Sequence, residues 1–422
     1  MEVVINGTSY TQLASLTFST ETDVTGSSAP VNEFSCDIMT DDTIQVGTRA
    51  ALYDGLGNLW AKYWVTYAER KDKETVEVRA QSALMLLDRV TLPATMYTGQ
   101  TVGSVLQTVM APISGEYELE EGFASVQLNG YAPEQTARER LQWIVLVIGA
   151  YVRHYFGEDV QILSVKEDTL TIPMEYTYYK PSVTYTDYVT AIRAKAYSYV
   201  QREPQTKERW VEVNDTAYVE TEQVFELSNP DVPAIAPANV IEVENVTLIN
   251  EDNVDEILSH LAKYYFTRCE VDFEAVDDAQ WYAGQRVMVS SDMDEVFEGY
   301  IDNASFEFGL RAKASIHVTS AEGMDSSTLT IRYLWDTKQM GVRHYTFPEG
   351  YEYKVENVYL DVPWAGHRYV FRPINEYAEG TVQEGGTTDN QPVTPALDMY
   401  NGILSIISVD EYEDEEGTAV IA

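Results

Sequence analysis

The sequence Val46-Gly47-Thr48-Arg49-Ala50-Ala51-Leu52 is the most informative part of the chain, because a close copy of it, Ala283-Gly284-Gln285-Arg286-Val287-Met288-Val289, stands far downstream. In each copy a glycine, a polar residue and an arginine (Gly47 and Arg49; Gly284 and Arg286) lead into an apolar strand. An alternating strand that ends on Ser-Ala then follows, at 75–83 and at 314–321. Such a widely separated repeat indicates two related β units and does not fit a short-period solenoid. The alternative is chance similarity between two β-meanders.

Apolar and polar residues alternate through much of the chain, which is typical of strands with one buried face. The 422 residues are enough for several domains. We predict a mainly β (α+β) chain in five segments. They are a first β unit at 1–95, an inserted helical module at 96–160, returning β segments at 161–225, a second β unit with a preceding helix at 226–325, and a β-rich C-terminal module at 326–422.

Two helices are marked by local signals. Thr136-Ala137-Arg138-Glu139 has the spacing of a capping box, in which the Thr136 hydroxyl accepts from the Glu139 amide and the Glu139 carboxylate reaches back to the Thr136 amide. An apolar stripe follows it, which predicts a helix with one buried face. A second helix is expected at about 253–268, just before the second copy of the repeat.

The net charge is −40, from 68 acidic and 28 basic residues. Binding nucleic acid through phosphates needs clustered lysine and arginine, so this class of function is disfavoured. The same charge argues against an anionic membrane surface. Two uses of the acidic charge remain: solubility, or a surface that must not retain a polyanion as it passes.

No catalytic or metal-binding constellation stands out, and we expect no enzyme activity, no metal and no cofactor. The five histidines lack the spacing of a helical zinc site, and neither a Gly-x-Ser-x-Gly elbow nor a phosphate-cradling glycine loop is present. The two cysteines, Cys36 and Cys269, form no disulfide framework. The cluster Asp292, Asp294 and Glu295 is either an ion site or, more simply, a solvated turn. No secretory signal and no membrane-spanning run is indicated.

The last hundred residues differ in composition from the rest. They hold aromatic strands, a glycine- and threonine-rich linker at 380–394 and an acidic tail at 410–416. The apolar side chains of one segment need cover from the module or from a neighbour, which makes them candidate docking residues: Leu397, Ile403, Leu404 and Ile407. A tyrosine-rich stretch at 176–199 suits pleated strands, or alternatively a sugar-binding platform.

The order of these pieces resembles the baseplate hub, or tail hub, proteins of long-tailed bacteriophages, prophages and contractile injection systems. Six stretches carry the resemblance: Leu84–Arg89, Tyr97–Gly103, Gln135–Ile144, Gly149–Arg153, Leu261–Arg268 and Tyr282–Val287. The Thr-Ala-Arg-Glu segment with its following Leu-Gln and Gly-Ala is the most specific of them. The resemblance covers about residues 1–325.

The resemblance implies that each β unit is a tail-tube-like β-barrel. Three chains would then form a pseudo-sixfold ring that joins the tail tube or a distal tail protein to a spike, tip or fibre protein. It implies a place in the virion, assembly in the bacterial cytoplasm, and an acidic channel through which DNA passes. Two alternatives remain open: a β-rich tail adhesin that binds carbohydrate, and a tail-associated cell-wall hydrolase.

Overall fold

The computed structural model describes residues 1–54, 57–113, 117–156, 159–166, 168–172, 177–178, 181–233, 236–267, 269–276, 281–292, 295–308 and 312–324, and six short strands beyond them. The side chains of 291–292, 295 and 322–324, and those of the six short strands, are not described. The chain divides into two compact units. The first comprises Met1–Ile172, Tyr176–Ser291 and Phe297–Glu322, and the second holds Gly323–Ala422 with two short pieces, Pro173–Glu175 and Asp292–Val296.

The mainly β prediction is confirmed. The strands before the helical region are β1 (Glu2–Ile5), β2 (Thr8–Tyr10), β3 (Leu13–Glu21), β4 (Glu33–Met39), β5 (Arg49–Tyr53), β6 (Leu59–Arg70) and β7 (Thr75–Gln81). Those within and just after it are β8 (Thr91–Leu92), β9 (Thr95–Thr101), β10 (Tyr117–Leu119), β11 (Gln127–Ala132), β12 (Gln135–Thr136), β13 (Tyr151–Arg153), β14 (Val160–Leu163), β15 (Thr169–Ile172) and β16 (Ser182–Tyr185).

The remaining strands of the first unit include the second copy of the repeat. They are β17 (Ala191–Gln201), β18 (Arg209–Val213), β19 (Thr216–Ser228), β20 (Val240–Val243), β21 (Cys269–Val276), β22 (Arg286–Asp292), β23 (Glu295–Phe308) and β24 (Ala312–Met324). Four α-helices lie in the described ranges: α1 (Leu84–Leu87), α2 (Val102–Val109), α3 (Ala137–Val147) and α4 (Val254–Tyr265). No helix among the described residues is long and apolar enough to cross a membrane.

One thirteen-stranded sheet contains both copies of the repeat. In what we call the first half, the order is β2-β1-β5-β6-β7-β4-β3. In the second half it is β15-β22-β23-β24-β21-β16. The run β5-β6-β7-β4-β3 therefore matches β22-β23-β24-β21-β16 strand for strand. The two halves join where β23 pairs with β3, a connection that the sequence did not indicate.

A single apolar core lies under this sheet and draws side chains from both halves. Buried residues of β3 to β7 and of β21 to β24 belong to one contact cluster. It includes Leu16, Phe34, Ile38, Leu52, Val78, Phe273, Val287, Ile316 and Val318, each at most 5% exposed. The two β units of the sequence thus fold as one body, because neither sheet half alone covers the apolar face that it presents.

The inserted segment forms its own core between α1, α2, α3 and the short strands β8 to β14. The apolar stripe of α2, with Val102 and Leu106 fully buried, faces this core, as does that of α3, with Leu141 and Ile144. Helix α4 packs elsewhere, on the four-stranded sheet β18-β19-β17-β20. The second compact unit contains two small sheets, β25 (Tyr345–Thr346) with β29 (Ile403–Ile406) and β28 (Leu397–Tyr400), and β26 (Val358–Val362) with β27 (His367–Phe371) and β30 (Ala419–Val420).

Candidate functional site

The glycines of the repeat occupy matching places in the two halves. Gly47 has φ 86° and Gly284 has φ 87°, a left-handed conformation that side chains with a Cβ rarely adopt. The Gly47 N–H donates to the Val65 carbonyl at 2.8 Å, and the Gly284 N–H donates to the Ile301 carbonyl at 2.7 Å. Each glycine therefore turns the chain into the strand that follows it and fixes that strand against the next.

The arginines of the repeat begin β5 and β22 and lie over an aromatic ring of the neighbouring strand. The Arg49 guanidinium is 5.2 Å from the Trp64 ring centre, and that of Arg286 is 6.0 Å from Tyr300. Arg49 also pairs with the buried Asp159 at 2.8 Å, whereas Arg286 pairs with Glu298 at 3.1 Å. Arg49 thus ties the start of β5 to the inserted segment, whereas Arg286 ties the start of β22 to the neighbouring strand β23.

The seam between the halves is the antiparallel pairing of the end of β23 with β3, from Asn303 opposite Glu21 to Phe308 opposite Leu16. On its core face Phe18 stacks on Phe306 at 4.7 Å between ring centres. Trp60 meets both rings edge-on, at 4.9 Å and 5.4 Å. Sequence reasoning did not select these aromatics, since alternation shows which face a residue takes but not which strand lies beside it.

The predicted capping residues are placed at the start of α3. The Glu139 amide donates to Thr136 Oγ1 at 3.2 Å, and the Thr136 amide donates to Glu139 Oε2 at 2.8 Å. One turn further on, Arg140 is fully buried and donates to the Tyr97 hydroxyl at 2.7 Å and to the Pro133 carbonyl at 2.7 Å. These bonds hold α3 against the strands that flank it.

A cleft of about 690 Å³ at the end of β3 holds several acidic side chains. His317 lies in it with Asp302 Oδ1 at 2.5 Å from Nδ1 and Glu270 Oε2 at 3.9 Å from Nε2. The hydrogen bond to Asp302 raises the pKa of His317. Because each ring nitrogen faces a carboxylate, this histidine is not arranged as a general base for a hydroxyl nucleophile.

Another histidine is isolated from water. His154 is fully buried, its Nε2 is 3.4 Å from the Tyr63 hydroxyl, and burial lowers its pKa to about 3. Burial also raises the pKa of the Cys36 thiol to about 12, so this cysteine is not a reactive thiolate. Within the described ranges, no three His, Cys, Asp or Glu side chains are grouped to hold a metal ion.

For two sets of predicted residues, the structure describes no side chains. The side chains of Asp292 and Glu295 are not described, and Asp294 lies outside the described residues. Leu397 lies in β28, and Ile403 and Leu404 lie in β29, with side chains likewise not described. Ile407 lies outside the described residues. The ion site and the C-terminal docking residues therefore stay predictions.

Comparison with known proteins finds likeness in structure only. No family model matches the sequence, and no curated protein matches it. The crystal structure of the tail protein from Neisseria meningitidis MC58 superposes with a TM-score of 0.50 at 12% identity, covering 75% of this chain and 95% of that one. The 43 kDa tail protein of prophage MuSo2 from Shewanella oneidensis gives 0.53 at 13% identity, covering 76% and 98%. The resemblance to phage-type tail proteins is thus confirmed at the level of the fold.

Proposed function

We propose that this chain is a structural hub of a phage-type tail, which assembles as a homotrimer into a pseudo-sixfold ring. The observation that carries the proposal is the doubled sheet: two halves with one strand order and one Gly-x-Arg turn lie in a single chain. Three such chains present six similar halves, which matches a sixfold tube on one face and a threefold tip on the other. Closed cyclic symmetry favours a ring over an open filament.

The acidic composition supports a role as a conduit for DNA. At a net charge of −40 the assembled ring repels phosphate, and the repulsion is screened over roughly 10 Å at moderate salt. DNA that passes such a wall is not retained. We therefore assign no stable nucleic-acid binding to the protein, and no DNA retention is expected in a filter assay at low salt; tight binding there contradicts the conduit role.

The partners follow from the hub role. A tail tube or distal tail protein docks on one face and a spike, tip or fibre protein on the other, within the virion. The C-terminal module, about residues 326–422, is assigned to docking and not to catalysis. Deleting residues 395–422 is expected to impair attachment of a tip or neighbour while the ring still forms. Cell-wall hydrolysis by the protein would instead favour the hydrolase alternative.

Mass measurement in solution tests the assembly. Light scattering of the purified chain is expected to show three copies, or a monomer that trimerises when a tail partner is added. Negative-stain images of the trimer are expected to show a ring with six similar lobes. A stable dimer contradicts the hub, because two chains supply only four halves. The same measurement at raised salt controls for association driven only by charge.

A further inference from the structure

The pairing of β23 with β3 joins the two halves, but the equivalent strands β6 and β16 are not paired with each other in the part of the chain that the structure describes. In the second half, the far end of β23 pairs with β3 of the first half. By strand order, the matching pieces are the far end of β6 in the first half and β16 in the second. Among the described residues, β16 has β21 as its only strand partner, and the end of β6 beyond Val65 is paired on the β7 side alone. Within the described residues, one chain therefore carries one completed seam and the two unpaired strand edges that would form a second one.

The repeat fixes which residues correspond. Gly47 bonds to Val65 as Gly284 bonds to Ile301, so Val65 matches Ile301 and the stretch 67–71 matches 303–307. The sequence before the two glycines also has equal length, since Gly47 lies eight positions after Met39 and Gly284 lies eight positions after Val276.

On the other edge, Val183 pairs with Val271 as Phe18 pairs with Phe34. On their other side, Val271 pairs with Val318 and Phe34 pairs with Ala80. Val318 lies two residues before Ser320, and Ala80 lies two residues before Ser82, so the two partners are equivalent in the repeat. These registers match Val183 to Phe18 and Ser182–Tyr185 to residues 17–20.

Solvent exposure marks the two open edges. At the completed seam Thr20 and Ala283 are fully buried, and the Ala283 N–H donates to Thr20 Oγ1 at 3.2 Å. Their counterparts are Tyr185 and Val46. These two are 61% and 60% exposed, the highest values among the large apolar side chains in the described part of the chain. The two most exposed large apolar side chains of the described residues thus stand at the two positions that would meet in a second seam.

We infer that β16 of one copy of this chain pairs antiparallel with the far end of β6 of a second copy. In this register Tyr185 lies opposite Ala68, Thr184 opposite Glu69 and Val183 opposite Arg70, and Tyr185 covers Val46. The two edges are different surfaces of the chain, so the contact is head-to-tail and generates a closed ring when the rotation closes. The inference rests on the proposed hub function and names the strands that assemble it.

The chemistry of the second seam differs from that of the first. Phe306, which stacks on Phe18, is matched by Arg70, whose guanidinium donates to the carbonyls of Thr40 and Asp41 at 3.2 and 2.9 Å. The open end of β6 therefore carries charge on both faces, and charged edge residues suppress pairing with unrelated strands. The seam between chains is accordingly more polar and more readily reversed than the seam within a chain.

Engineered disulfides test the register. The Thr22 N–H donates to the Asp302 carbonyl at 2.9 Å, which places Ser19 and Ser305 in a non-hydrogen-bonded pair. Such pairs bring Cα atoms to about 4.5 Å, within the range of a disulfide. Glu69 and Thr184 are the corresponding pair between chains, and both are exposed. The native cysteines are buried and do not compete.

Oxidation of the Glu69→Cys/Thr184→Cys variant with copper phenanthroline is expected to give covalent dimers and trimers on non-reducing gels, with at least a tenfold excess over the unoxidised sample. Ser19→Cys/Ser305→Cys is the matched positive control and is expected to lock within one chain, without a change in mass. Ala68→Cys/Thr184→Cys places the sulfurs on opposite faces of the same strands and is expected to stay uncrosslinked.

Solution mass separates failure of this inference from failure of the hub. A trimer in which the Glu69→Cys/Thr184→Cys variant forms no cross-links between chains overturns the strand pairing and leaves the hub intact. Equal cross-linking in the Ala68→Cys/Thr184→Cys control also overturns it. Long open-ended ladders support the pairing but contradict the closed ring. A chain that stays monomeric at all concentrations and with partners, and forms no cross-links, contradicts both.

Discussion

The two halves of the sheet use the same glycine turn in different surroundings. A Cβ added to Gly47 meets nothing within 4 Å, whereas one added to Gly284 lies 2.7 Å from the Tyr151 ring. Tyr151 follows α3 in the inserted segment, so the second half is packed beneath that segment at this point and the first half is open. The two copies of the repeat therefore share the backbone conformation of the glycine, but the side chains packed around that glycine differ.

The seam within the chain offers the largest contrast between the halves. Phe306→Ala is expected to lower the free energy of unfolding by about 3–5 kcal/mol, because it removes a buried ring and leaves a cavity beside Phe18 and Trp60. Denaturant unfolding followed by circular dichroism measures the loss. The matched change in the first half, Arg70→Ala, removes exposed hydrogen bonds and is expected to cost roughly 1 kcal/mol. Equal losses would mean that the two positions are not distinguished by burial.

The glycine turns give the second contrast. Gly284→Ala is expected to cost about 2–5 kcal/mol, since it combines a left-handed backbone, roughly 1–2 kcal/mol, with a collision on Tyr151, roughly 1–3 kcal/mol. Gly47→Ala carries the backbone term alone and is expected to cost about 1–2 kcal/mol. Thermal and denaturant unfolding of both variants compares them. A Gly47→Ala cost equal to that of Gly284→Ala would rule out the packing explanation.

His154 of the inserted segment and His317 of the second half are expected to respond to pH in opposite directions. His154, beside Tyr63, has a pKa lowered to about 3, so between about 6.5 and 3 the unfolded chain binds a proton that the folded chain does not. Stability is then lost as the pH falls through this window, by about 1.4 kcal/mol per pH unit. His154→Gln is expected to flatten that slope. Titrating the unfolding free energy of wild type and variant from pH 7 to pH 4 measures it.

His317 is the control, because Asp302 raises its pKa. The folded state then binds the extra proton, and its contribution is present below about 6.5 and lost as the pH rises through the raised pKa. His317→Gln is therefore expected to steepen the loss at low pH slightly or leave it unchanged, since the side chain is partly solvated and screened. A flatter slope in His317→Gln than in His154→Gln would reverse the assignment.

The inserted segment gives the smallest effect. Thr136→Ala removes half of the capping box of α3 and is expected to cost about 1 kcal/mol. Thr101→Ala is the matched change at α2, where the hydroxyl accepts from the Ser104 amide at a longer 3.4 Å, and it is expected to cost less. If α3 supports the second half through Tyr151, Thr136→Ala also lowers the penalty of Gly284→Ala in the double variant. Strict additivity of the two changes would contradict that coupling.

Local signals in the sequence were enough for several elements. The Thr136 and Glu139 spacing marks the start of α3, and the alternation of apolar residues marks the mainly β class. Both depend on contacts between residues a few positions apart, where backbone geometry alone sets the neighbours. The Gly-x-Arg repeat also reveals two related units, because a turn with φ near 87° selects glycine wherever it occurs.

How the two units are joined in one sheet is seen only in the folded chain. On the side away from β4, β3 pairs with β23, which lies almost three hundred residues further along the chain. The sequence of neither strand specifies the other as its partner, since main-chain hydrogen bonds are the same for every residue type. For the same reason the sequence did not predict the contact of Phe18 with Phe306, the burial of His154, or the exposure of Val46 and Tyr185. The repeated Gly-x-Arg segment shows in the sequence that the β unit occurs twice, whereas the folded chain shows which edges of the two copies are joined and which are left open.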